Sequence, residues 1–125
     1  MHITTPSPEL TVTTPNAAMT RLAAPSLGSG ELSVWRVRMV PGARGPVHAV
    51  DREQVWTVTA GALEFTAEGR AEVAEAGQTV TVPAGAVRQV CAGGPGDAEA
   101  LVAMVCDGTV ELGGQEERVR LPWAE

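Results

Sequence analysis

Gly and Pro cut this chain so often that no apolar stretch in it runs long. Fourteen glycines and nine prolines are spread along 125 residues, and the segments between them are short and rich in Val, Thr and Ala. Such punctuation leaves little room for helices of ordinary length and favours short strands joined by tight turns. Successive segments read as strands over Glu9–Thr14, Glu31–Val40, Val47–Val50, Gln54–Ala60, Leu63–Ala67, Ala71–Ala76, Gln78–Val82, Ala86–Ala92 and Ala98–Cys106. A final hairpin pairs Thr109–Leu112 with Glu117–Leu121 across Gly113-Gly114. Asn16–Leu22 reads as a loop or a single helical turn, and Glu68-Gly69-Arg70 as a tight hairpin turn. About ten strands of ordinary length predict an all-β sandwich or small barrel. Within Glu31–Val40, Trp35, Val37 and Met39 share one face, with Val34, Arg36 and Arg38 on the other.

Charge and residue usage narrow the function. All nine basic residues are Arg, against fifteen acidic ones, for a formal charge of −6. A nucleic-acid partner is disfavoured, because neutralising phosphates takes clustered cations. No apolar run approaches the ~20 residues of a membrane span. The first residues, Met1 to Pro6, lack an export pattern, so a cytoplasmic location with Cys91 and Cys106 reduced is expected. The absence of Lys removes Schiff-base chemistry, and the absence of Tyr removes a phenolic acid. His2 and His48 are too few for a three-histidine zinc site in one copy of the chain.

The glycine and proline spacing resembles the two motifs of the cupin superfamily, G-x5-H-x-H-x3-E-x6-G and G-x5-P-x-G-x2-H-x3-N. Here the first reads Gly42, His48, Val50, Gln54, Gly61 and the second Gly77, Pro83, Gly85, Arg88, Ala92. The resemblance implies a jelly-roll barrel over residues 31–125. Residues 1–30 form an N-terminal extension, with a strand available for exchange between the two copies of a homodimer. Leu10–Thr14 and the Arg36/Arg38 face are the expected contributors to that dimer.

Metal-binding cupins use the two His and the Glu of the first motif and the His of the second. Only His48 of these remains. Val50 cannot ligate, Gln54 is a weak donor, and Arg88 is a fixed cation that repels a divalent ion. No metal and no cofactor are therefore expected. A residual divalent site at His48, or a shifted register using Asp51 or Glu53, is the minor reading.

His48, Val50, Gln54, Trp56 and Val58 share one parity and so one side of the sheet; the cupin resemblance implies that this side is the barrel interior, with Arg88 and Val90 lining it from the opposite strand. His48 is the candidate proton carrier. Arg88 is either a clamp for a ligand oxyanion or one half of an ion pair with Glu64 or Glu99. Gln54 orients a hydroxyl or carbonyl, or pairs with Arg88 or His48. Trp56, Val50, Val58, Val90, Met39 and Met104 are the candidate ligand wall, while Trp35 and Phe65 read mainly as core. Cys91 has the parity opposite to Arg88, and Trp123 plugs a barrel mouth or packs across a dimer interface. Together these residues predict a metal-independent enzyme of small molecules, cyclising, isomerising or dehydrating an apolar or anionic carbonyl compound, in specialised or polyketide-like metabolism. The alternative is a non-catalytic barrel that captures a small anion.

Overall fold

Along Leu32–Met39, Trp35, Val37 and Met39 are buried while Arg38 is exposed, the period-two signature of a strand with one face on a core. The same pattern recurs through the chain in a computed structural model that describes residues 1–113 and 118–125. Twelve strands are present among these residues: β1 (Thr11–Thr13), β2 (Ala18–Ala23), β3 (Leu32–Met39), β4 (His48–Val50), β5 (Gln54–Ala60), β6 (Ala62–Ala67), β7 (Arg70–Glu75), β8 (Thr79–Val82), β9 (Arg88–Ala92), β10 (Ala98–Val105), β11 (Thr109–Leu112) and β12 (Val119–Arg120). The expected turn residue Gly114 and strand start Glu117 lie outside the described residues.

The strands form two antiparallel six-stranded sheets, β1-β2-β3-β10-β5-β8 and β12-β11-β4-β9-β6-β7, packed face to face as a jelly roll. The β3–β10 ladder runs unbroken from Leu32 opposite Val105 to Met39 opposite Ala98. It makes the backbone of the first sheet.

One segment departs from its local reading. Asn16–Leu22 was expected as a loop or helical turn, but Ala18–Ala23 is strand β2, paired on one side with β1 and on the other with β3. Its mixed Ala-Met-Thr-Arg-Leu sequence carries no clear period of its own. The ladder offered by β3 decides its conformation, as β propensity is set largely by neighbours.

Two turns show why glycine and the hairpin signal matter. Glu68 and Gly69 both have positive φ, 53° and 74°, the requirement of the two-residue primed turn joining β6 to β7. Gly61, at φ 65°, turns β5 into β6 where a Cβ would run into the backbone carbonyl of Asp97. No other residue fits that point without shifting the β5–β10 edge.

The C-terminal segment closes one end of the sandwich. Pro122–Ala124 forms a 3-10 turn packed on β2 and β3. The fully buried Ser33 hydroxyl donates to the Ala124 carbonyl at 2.6 Å, and the Ser26 N–H donates to the Glu125 carbonyl at 3.0 Å. Trp123 is thereby laid half-buried against the opening between the sheets. No helix among the described residues is long and apolar enough to cross a membrane.

Candidate functional site

Two cavities of note open between the sheets among the described residues. One cavity of about 300 Å³ has His48, Gln54 and Trp56 on its wall, with Met39, Val90 and Trp123 among its apolar lining. A second, of about 360 Å³, opens at the β7 and β8 edges and is lined by Arg88, Phe65, Val80 and Val82. Both are of ligand size. Cross-strand pairs are split between them. Trp56 faces the first cavity and its partner Val80 the second; Gln54 and Val82 divide likewise, as do Val90 and Phe65, and His48 and Arg88. The edge-to-face contact of Trp56 and Phe65, with centroids 5.4 Å apart, stands in the partition.

His48 opens β4, and its ring is oriented by its own chain. Nδ1 lies 2.8 Å from the Pro46 carbonyl oxygen. That oxygen can only accept, so Nδ1 carries the proton in this contact and Nε2 is left as the basic nitrogen. Burial holds the His48 pKa below the ordinary histidine value; the Pro46 bond opposes this, and the Arg88 charge adds to it. The imidazole is thus kept neutral, as a base requires.

Gln54, only 3% exposed, has a determined amide orientation. The Trp56 indole, which can only donate, reaches Oε1 at 3.2 Å. The Gln54 NH2 therefore faces away from Trp56, and its partner is the Met104 sulfur at 3.6 Å. A thioether is a weak acceptor, so this buried donor is under-used beside the cavity. The pairing of Gln54 with Arg88 or His48 is not seen; Trp56 and Met104 take its place.

Several expected positions are corrected. Arg88 was placed with His48 on one wall, yet it lines the second cavity instead. Its Nη2 donates to the Pro83 carbonyl at 3.3 Å, while Nε and Nη1 are buried without partners among the described residues. Burial pushes its pKa down to about 10. Neither Glu64 nor Glu99 pairs with it among the described residues. Glu64 alternates with the inward Leu63 and Phe65, and Glu99 stands opposite Arg38 on the outer face. Val50 and Val58 face the interior but are sealed in the core away from the first cavity, and Met104 lies behind Gln54. Strand parity fixes the side a residue faces, not its depth along the barrel. Trp56, Val90 and Met39 do line the first cavity, and Cys91 lines neither. The sequence reading missed Asn16, Met19 and Leu121 on the first wall, which come from distant parts of the chain and carry no local signal.

The motif positions do not fit a metal. Val50 and Arg88 offer no lone pair, and the Asp51 carboxylate is spent on the Thr109 N–H and hydroxyl at 2.7 and 2.9 Å. Glu53 is exposed. No group of three or more His, Cys, Asp or Glu among the described residues is gathered to hold an ion.

Two face-packed antiparallel sheets enclosing ligand-sized cavities define the small-molecule barrels of the jelly-roll class. A model of the cupin domain matches residues 35–106, more than half of the chain. The protein is a cupin. No curated relative matches it. Among solved structures it resembles the polyketide cyclase RemF from Streptomyces resistomycificus, at 20% identity and a TM-score of 0.73 over 85% of this chain and 79% of that one. A cupin-superfamily sugar phosphate isomerase from Silicibacter pomeroyi aligns at 20% identity and 0.70 over 87% and 78%. Oxalate oxidase in complex with glycolate aligns at 26% and 0.66 over 74% of this chain and 52% of that one. The first two likenesses are of fold.

Proposed function

We propose that this cupin is a metal-independent enzyme that moves a proton on an apolar carbonyl compound, in a cyclisation, isomerisation or dehydration of polyketide-like substrates. The observation that carries the reading is the His48 ring on the wall of an almost wholly apolar cavity, its Nδ1 fixed on Pro46 and its Nε2 without a protein partner among the described residues. In this mechanism Nε2 takes the proton from the carbon next to a carbonyl. The C–H electrons move into the enolate, and a Gln54 N–H donates to the growing oxyanion. Return of the proton to another carbon isomerises the substrate. Attack of the enolate carbon on a second carbonyl closes a ring, and loss of hydroxide with the returned proton, as water, dehydrates it. The oxyanion role expected of Arg88 passes to Gln54, because Arg88 faces the other cavity. The similarity in fold to a polyketide cyclase and a sugar phosphate isomerase supports this class of chemistry.

The test is solvent-deuterium exchange into a panel of polyketide-like 1,3-dicarbonyl compounds, followed by NMR. Exchange by the native chain that His48→Gln abolishes is expected. Saturable binding in the first cavity without exchange in any compound would replace the enzyme by a capture module. A homodimer is part of the proposal, since exposed Leu32, Leu101 and Val105 lie together on the outer face of β3 and β10. Light scattering that finds a monomer at micromolar concentration would remove it.

A further inference from the structure

The second cavity holds a feature that the reaction at His48 does not use. Arg88 is 2% exposed, and its one hydrogen bond, to Pro83, is long. Nε and Nη1 are closed off from water and from every protein acceptor among the described residues. Buried polar groups are nearly always satisfied, and a buried cation most of all. A guanidinium held this way is a donor set waiting for an acceptor.

Its surroundings describe that acceptor. Across the inner face of the second sheet, Arg88 stands beside Ala67, and Ala67 beside Arg70, in one cross-strand row. Two strand spacings separate the arginines, roughly 10 Å, with only a methyl group between them. Both line the cavity. Phe65, Ala74, Val80 and Val82 provide an apolar wall beyond the gap. Glu72, paired with Arg70 at 2.7 Å, and Glu68 put negative charge at the rim.

We infer that the β7–β8 cavity is a binding site for a small monocarboxylate with an apolar body. Its carboxylate seats over Ala67 against the forked donors of Arg88, and its body lies along Phe65, Val80 and Val82. The planar fork matches a carboxylate, and a modest swing of a side chain tethered only to Pro83 turns it into the cavity. Glu68 and Glu72 at the rim disfavour a dianion such as phosphate. The assignment stands apart from the reaction at His48 and uses none of its groups.

Benzoate is a suitable probe, measured by calorimetry together with NMR of the methyl groups. The expected result is saturable binding below roughly 10 mM, with shifts at Val80 and Val82. Arg88→Gln should weaken it at least about tenfold, and His48→Gln should leave it unchanged. Ala67→Leu fills the gap from a half-exposed position and leaves Arg88 intact, so it decides the matter should Arg88→Gln not fold. It should abolish binding. Absence of saturable binding, shifts at Met39 instead, or full affinity in Ala67→Leu would overturn the site. Inorganic phosphate binding as tightly as benzoate would overturn the carboxylate class.

Discussion

His48 and Arg88 are direct partners across the β4–β9 pair, yet they deliver their functional groups to different cavities. The arginine lowers the affinity of the imidazole for a proton without sharing its cavity. The two residues are coupled by field rather than by contact, and this coupling is open to measurement.

The first expected outcome concerns pH. The His48 pKa in the folded chain lies below the unfolded value of ~6.5, chiefly through burial. The stability it contributes is therefore complete above about pH 6.5 and is lost as pH falls through the folded pKa. Urea denaturation between pH 5 and 8 should show this loss, and His48→Gln should flatten it. The acid limb of kcat/KM should fall below ~6.5 for the same reason.

Replacing Arg88 with Met removes a buried, unpaired charge while keeping much of its volume. Losing an unpaired buried charge relieves its desolvation cost, which is on the order of several kcal/mol per ion. Denaturation of Arg88→Met should show no loss of stability, and NMR titration should show the His48 pKa rising as the neighbouring charge disappears. A fall in that pKa would contradict the coupling.

Gln54→Leu tests the oxyanion donor. It should lower kcat by about 10²–10³-fold with a smaller change in KM, since the amide acts on charge that develops during reaction. The Trp56 indole also loses its acceptor. Stability should fall by about 1–3 kcal/mol, measured separately by denaturation.

Metal removal should be without effect. Protein purified without an affinity tag should contain less than stoichiometric iron, manganese, nickel and zinc by elemental analysis, and chelators should leave turnover unchanged. Stoichiometric metal would overturn the reading of the motif positions.

Gly61→Ala should be the costliest glycine substitution of the motif. It combines positive φ with collision against the Asp97 carbonyl, whereas Gly42, at φ 79°, faces open space. Losses of at least ~2 kcal/mol at Gly61 and about 1 at Gly42 are expected in thermal or urea denaturation.

Much of the architecture was legible in the sequence because turns leave chemical marks. Gly42, Gly61, Gly77 and Gly85 all adopt positive φ, and Glu68-Gly69 forms the hairpin turn its residues suggest. Strand β2 was not legible, since its partner β3 rather than its own composition imposes the extended form. Parity together with the cupin motif turned Trp56, Gln54 and Arg88 inward, and all three are buried. It could not tell which way a long side chain bends once inside, and the Arg88 guanidinium bends toward Pro83. Nor could it show that Met19 and Trp123 meet at one opening, because that depends on the closure of the whole barrel.

The partition built on Trp56 and Phe65 sets a ceiling on molecular size. As the chain stands, each chamber admits a compound of modest dimensions. Phe65→Ala would take away the ring on one side of the divide and open a passage between the chambers. A compound with two or more fused rings would then reach from His48 to the β7–β8 opening. A pair of aromatic side chains thus helps to keep this barrel two small rooms rather than a hall, and loss of one ring would redraw the range of molecules it admits.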